Sequence, residues 1–392
     1  MDRETSSQHK IDYTLLFIIF LLAIVSCLSI QSAEPLLSEK LKNINFVAKQ
    51  IQWYVIGAVA IAGTMVIDFD RFKMLSWYLY GFGMFLLFGL FVEKYIVDIP
   101  FADETKGATS WYNFPGFSFQ PSELMKIIMV IVLSKIIADH REKYPINTVK
   151  DDFLLIGKIL AVSIPPIAFL VKQPDMGMTM VFCAIIGTLI LVSGIKWRII
   201  LSVVFTAVFV ISLGVFLYFY FPDFFFTYVI KDYQMNRFYG WLDPWGHSSD
   251  KGLQLIRALL AIGSGELSGK GFQASEVYIP EGHTDFIFAV VSEQFGFVGA
   301  SIIISLFFLL IYRMIHIALE SHDPYGSYLC AGIIGMITFQ VFQNVGMTVG
   351  ILPITGLPLP FISYGGSSLA TYMIAIGIVL NVRSRTKKFM FD

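Results

Sequence analysis

Ile199-Ile-Leu-Ser-Val-Val-Phe-Thr-Ala-Val-Phe-Val-Ile-Ser-Leu-Gly-Val-Phe-Leu-Tyr-Phe-Tyr-Phe221 runs without one charged side chain. A helix needs roughly 20 predominantly apolar residues to cross a bilayer, where backbone groups can bond only to one another. This stretch meets that length, and the chain repeats it. Further runs lie at Tyr13–Ile30, Ile51–Ile67, Met74–Val92, Pro121–Ile137, Phe153–Val171, Met176–Val192, Phe286–Leu310, Tyr328–Val349 and Leu369–Val382. The fold predicted is an all-α integral membrane protein of about ten transmembrane helices. Tyr13–Ile30 follows Arg3 and Lys10 and could pass for a secretory signal, but the many later spans mark it as a retained first helix.

The composition agrees, with 56% hydrophobic and 15% charged residues. A net charge of −1 gives no field for a nucleic-acid partner. Cys27, Cys183 and Cys330 all lie in apolar runs, and an odd count at such positions argues against a disulfide framework. Basic residues set the orientation. Arg71, Lys73, Arg141, Lys143, Lys150, Lys196, Arg198 and the tail Arg383, Arg385, Lys387, Lys388 fall on one side of the alternation, which the positive-inside rule makes cytoplasmic. Both termini are then cytoplasmic. Gln31–Gln50, Glu93–Gln120, Lys172–Asp175, Pro222–Thr284 and Gly350–Ser368 face outward. Residues 1–392 read as one polytopic domain whose large external loop is 222–284, with an amphipathic segment at Leu253–Ile262 expected along the membrane surface. No internal repeat is visible.

Chemistry gathers at the outer boundary. Pro280-Glu-Gly-His-Thr-Asp-Phe-Ile-Phe288 brings Glu281, His283 and Asp285 to the start of the eighth span. In the first turn of that helix the macrodipole would favour an ionised Asp285, which suits a general base. Simple capping by Thr284 or Asp285 explains the spacing equally well. Gly107-Ala-Thr-Ser-Trp111 precedes Phe117-Ser-Phe-Gln-Pro-Ser-Glu-Leu-Met-Lys126, where Pro121 should open the fourth helix and set Glu123 and Lys126 on one face. Ionisable groups inside a span are costly and point to function ahead of a purely structural ion pair. Gln173-Pro-Asp175 fits a tight turn, and Lys158 should snorkel to the cytoplasmic surface. Gln340, Gln343 and Asn344 share a face that suits interhelical bonding as readily as substrate contact. The Pro- and Gly-rich run Leu352–Ser368 cannot be a plain helix, so it should wall a groove. No nucleotide-binding glycine loop or paired-His zinc motif competes with these.

Taken in order, Gly107-Ala-x-x-Trp111, Phe119-Gln-Pro-Ser-Glu-Leu-x-Lys126, Gln173-Pro-Asp-x-Gly177, Ala261-Ile-Gly-Ser-Gly265 with Gly269-Lys-Gly271, Glu281-x-His-Thr-Asp-Phe-Ile-Phe288 and the run Asn344–Ser368 resemble the SEDS (shape, elongation, division, sporulation) family. The resemblance spans about Ile51 to Arg383. It departs from the family pattern at Glu266 and Gly282, away from the reacting groups. The short N-terminus and Phe238-Tyr-Gly-Trp-Leu-Asp-Pro244 lean toward the RodA branch over FtsW, with SpoVE-like members also in range.

The resemblance implies a peptidoglycan glycosyltransferase that polymerises lipid II into β-1,4-linked glycan on the outer face of the bacterial cytoplasmic membrane. It implies a class B penicillin-binding protein as transpeptidase partner, and other elongation-complex membrane proteins. Asp285 would be the essential acid, with Trp111, Gln120, Ser122, Glu123, Lys126, Asp175, Lys270, Glu281, His283, Ser363 and Ser367 around the substrate. Lys126 or a divalent cation, Mg or Mn, could neutralise the leaving diphosphate; no organic cofactor is implied. Two rivals share the sequence features: a lipid II flippase, which Glu293 deep in the eighth span keeps open, and a noncatalytic scaffold.

Overall fold

The computed structural model describes residues 11–37, 41, 43–95, 110–114, 117–146, 148–228, 232–248 and 251–385. Gly107, Ala108 and Thr109 of the second motif, and the basic tail beyond Arg385, lie outside these. In chain order the elements are α1 Tyr13–Ala33, α2 Phe46–Val66, α3 Phe69–Tyr95, β1 Tyr112–Phe114, β2 Phe117–Phe119, α4 Pro121–Lys143, α5 Val149–Lys172, α6 Met176–Val192 and α7 Trp197–Tyr220. Then come α8 Pro222–Tyr228, α9 Asp232–Leu242, α10 Lys251–Ser264, α11 Ile287–Glu320, α12 Pro324–Thr348 and α13 Gly366–Arg385. Each expected span finds a helix. Among the described residues, eight helices are long and apolar enough to cross a membrane. The two others are α4, which carries Glu123, Lys126 and Lys135, and α6, which is 17 residues long.

Local sequence explains the helix starts. Asp12, Asn45, Asp175 and Asp323 each accept a bond from a first-turn N–H, at α1, α2, α6 and α12, and Thr148 with Asp151 closes a capping box on α5. Pro121 and Pro324 sit at the first helical position, where a missing N–H does no harm.

The core forms around α4, α12 and α13, which pack on one another and on α2, α3, α6 and α11. Of the α13 span 78% is buried, against 11% of α7. Only Ile199 and Ile200 of α7 are buried, so its apolar sides are left for lipid. Residues 222–284, expected as an external loop, hold α8, α9 and α10. The amphipathic segment does fold as α10, with Leu255, Ile256 and Ala258 buried where it packs on α9, α11 and α12.

The long α11 is broken at Gly296, whose φ of 62° lies in the left-handed region. The loop after α10 fills the break: Phe297 and Val298 N–H donate to the carbonyls of Glu266 and Leu267, and Lys270 and Gly271 N–H donate to those of Glu293 and Gln294. A side chain on Gly269 would drive into the Gln294 carbonyl. Glu293, fully buried, receives the Glu276 and Val277 N–H groups at 2.9 and 3.2 Å and the Lys270 ammonium at 3.1 Å.

Candidate active site

At the end of the bundle where α4 and α6 begin and α5 ends, a cavity of about 660 Å³ opens. Four carboxylates line it: Glu123 from α4, Asp175 from the α5–α6 turn, and Glu281 and Asp285 from the approach to α11. Among the described residues Arg237, on α9, is the cation in its wall. Trp111, Gln120, Gln173 and the segment 354–358 complete much of the rest.

The backbone beneath Asp285 is held at three successive carbonyls. Tyr364 N–H donates to His283 O at 3.0 Å, Ser363 Oγ to Thr284 O at 2.6 Å, and Asn344 Nδ2 to Asp285 O at 2.7 Å. Asn344 also donates to Leu357 O at 2.7 Å, which ties the irregular run 350–365 to the same point. Gly356, at φ 75°, leaves room there, since a Cβ on it would lie 3.3 Å from Asp285 Oδ2. The N-cap of α11 is Phe286, so Asp285 lies just outside the helix instead of in its first turn, at the positive end of the helix dipole. Neither Thr284 nor Asp285 occupies the capping position.

Asp175 caps α6 by accepting from Met178 N–H at 2.9 Å, and its other oxygen accepts from Gln120 Nε2 at 3.2 Å. Desolvation in the turn pushes this carboxyl above the ordinary aspartate range. Arg237 donates to the carbonyls of Thr355 at 3.2 Å and Ile354 at 3.4 Å, which leaves part of its five-donor fork for another partner.

The remaining predicted residues divide. Trp111, Gln120, Glu123, Asp175 and Glu281 reach the cavity with Asp285. Lys126 does not: it is fully buried beside the cavity wall, 2.8 Å from Glu123 and 5.0 Å from the centre of the Tyr372 ring. Ser122 and Ser367 are buried behind the wall, and their hydroxyls find no partner among the described residues. Ser363 serves the backbone, accepting from Leu359 N–H at 2.8 Å as well as holding Thr284. Lys270 belongs to the Glu293 anchor, and its ammonium also lies 2.8 Å from Glu276. His283 points away from the cavity, its ring 5.0 Å from that of Phe46, and burial lowers its pKa below the ordinary value. The polar face of α12 is internal: Gln340 bonds the Tyr372 hydroxyl at 2.8 Å and Gln343 the Pro353 carbonyl at 2.9 Å. Lys158 turns to His140, with 3.3 Å from Nζ to Nδ1.

Sequence reading missed Arg237 and the β1–β2 hairpin altogether, and left Asn344 open between interhelical bonding and substrate contact; its amide in fact holds the Asp285 and Leu357 carbonyls. For the hairpin a sequence signal was present: Pro-Gly at 115–116 between alternating aromatic residues is a dipeptide type expected between two strands.

A family model for cell cycle proteins of the FtsW, RodA and SpoVE type matches residues 13–388. The chain is 33% identical over 346 residues to a probable peptidoglycan glycosyltransferase FtsW of Geobacter metallireducens, covering 87% of this chain and 86% of that one. It is 33% identical over 383 residues to the peptidoglycan glycosyltransferase MrdB of Escherichia coli, covering 96% and 94%. A solved peptidoglycan synthase complex, described as coordinating polymerization and crosslinking, contains a chain that superposes with a TM-score of 0.76 at 27% identity, covering 95% of this chain and 97% of that one.

Proposed function

Because this chain belongs to the FtsW, RodA and SpoVE family, and is with it a peptidoglycan glycosyltransferase of the bacterial membrane, we propose that it polymerises lipid II in the cavity around Asp285. Two lipid-linked disaccharide-pentapeptides would meet there. The acceptor's GlcNAc 4-hydroxyl attacks C1 of the donor's MurNAc, the C1–O bond to undecaprenyl diphosphate breaks with inversion, and Asp285 takes the hydroxyl proton. The observation that carries this is the convergence of Asp285, Glu123, Asp175 and Arg237 on one cavity at one end of the bundle.

The leaving diphosphate needs charge neutralisation more than a proton. Arg237 suits that role better than Lys126, whose charge is held by Glu123 outside the cavity. A divalent cation, Mg or Mn, held between the cavity carboxylates and the diphosphate would supply the same neutralisation, and no step here runs through it.

A flippase would need a polar path through the bilayer. Glu293, the residue that favoured one, is occupied as the anchor of the loop docked in the α11 break.

We assign the chain to cell elongation and rod shape, with a class B penicillin-binding protein as crosslinking partner and both termini cytoplasmic. The likeness to a peptidoglycan synthase complex supports a transpeptidase partner. The equal 33% identity to FtsW and MrdB supports a septal role as well, and depletion in a rod-shaped host separates the two: rounding follows loss of elongation, filamentation loss of division.

The deciding experiment is polymerisation of labelled lipid II by the purified protein with its partner. Asp285→Asn keeps shape and hydrogen bonding but cannot take the proton, so the rate should fall about 10²–10⁴-fold while thermal stability holds. A near wild-type rate at saturating substrate would remove Asp285 as the base.

A further inference from the structure

The β1–β2 hairpin has two chemically different faces. Its register pairs Tyr112 with Phe119, Asn113 with Ser118 and Phe114 with Phe117. Alternation along each strand therefore places Tyr112, Phe114, Phe117 and Phe119 on one face and Asn113 with Ser118 on the other. Continued one residue outward, the second face gains Trp111 before β1 and Gln120 after β2.

The aromatic face seats the hairpin on the bundle. Tyr112 Oη donates to Leu86 O at 3.1 Å, in a notch of α3 where a side chain on Gly89 would collide with that hydroxyl. The Phe117 ring stands edge-on to Trp53 of α2 at 6.5 Å, and Phe114 stacks on Phe117 at 5.2 Å. All four members of the other face, Trp111, Asn113, Ser118 and Gln120, line the cavity, and no residue of the aromatic face does.

We infer that this second face is a saccharide-recognition surface, with Asn113 and Ser118 as substrate-contacting residues for the sugar part of the lipid-linked substrate. The inference rests on the function proposed above. The chemistry argues for a sugar ring over a diphosphate. The four side chains are an indole, two carboxamides and a hydroxyl, with no cation among them. Trp111 offers an apolar surface to the C–H face of a pyranose, while Asn113 and Ser118 offer donors and acceptors to its hydroxyl and acetamido groups. Their anchoring is also suited to the task, because the aromatic face fixes the hairpin through Tyr112, Phe114 and Phe117, and on the polar face Gln120 is tied to Asp175.

The test uses the full chain with its partner and compares two ligands. One is lipid II as substrate; the other is undecaprenyl diphosphate, which lacks the saccharide, as inhibitor. Asn113→Ala with Ser118→Ala should raise KM for lipid II roughly tenfold, the loss of two neutral hydrogen bonds, and leave the inhibition constant of undecaprenyl diphosphate unchanged. An equal loss on both ligands, or no loss on either, would overturn the inference. Should the double variant fail to fold, Ser118→Ala alone, at an exposed strand position, makes the same comparison with a smaller shift. A wild-type protein that forms no glycan would instead bring down the proposed polymerase function, so the two failures are distinct.

Discussion

Arg237 owes its importance to its surroundings. Four carboxyl groups line its cavity, Glu123 among them paired with the buried Lys126, and Arg237 is, among the described residues, the cation in the wall that a diphosphate would meet. Arg237→Gln should raise KM for lipid II by about 10–100-fold, as expected for a lost charge-assisted hydrogen bond, and Arg237→Lys should recover part of it. Steady-state kinetics at two salt concentrations checks this; an unchanged KM would return the neutralising role to another group. His283 carries a different expectation. Burial, partly offset by the nearby Glu281, lowers its folded-state pKa, so it is neutral at pH 7. The unfolded chain binds that proton more readily. Stability associated with His283 is therefore complete above its unfolded value of about 6.5 and is lost as pH falls through the lower folded value. Thermal unfolding from pH 7.5 to 5 should show a smaller acid-side fall for His283→Phe than for the wild type.

On the scale of elements, the broken α11 and the loop docked into it behave as one unit. Gly269 and Gly296 both take positive φ, and each lies where a Cβ would strike the other segment's backbone. Non-glycine residues rarely adopt that conformation, and here the close approach forbids them twice over. Gly269→Ala should expel the 266–277 loop from the break, seen as new protease sensitivity there and a Tm lower by several degrees. A variant with wild-type protease resistance would mean that the loop is held by Glu293 alone.

For the whole molecule, orientation follows from charge. With basic loops on one side, Ser248, exposed in the region between α9 and α10, should lie outside, and Ser384 at the end of α13 inside. Single cysteines at these positions in intact cells should react with an impermeant thiol reagent at 248 and resist it at 384. The reverse pattern would invert the topology and move the cavity to the cytoplasmic side.

The spans were legible because a bilayer imposes one long-wavelength constraint, an apolar run of helical length, that needs no partner to be recognised. The motifs around Glu123, Asp175 and Asp285 were legible for a related reason, since charges at the ends of apolar runs stand out against their neighbours. What the sequence left open were matters of side-chain direction between segments far apart in the chain. Lys126 is three residues from Glu123, yet one reaches the cavity and the other turns under Tyr372. The capping and catalytic readings of Asp285 were equal by spacing, and the α11 N-cap at Phe286 removes the capping reading while the polymerisation assay bears on the other. Arg237, Asn344 and the polar face of the hairpin joined the site through tertiary packing, which brings α9, α12 and β1–β2 to Asp285 from across the chain. The length of each apolar run thus determined which segments can cross a membrane, a one-dimensional property. Which polar groups share the cavity was decided by how those segments pack, because each buried donor and charge must find its partner in three dimensions.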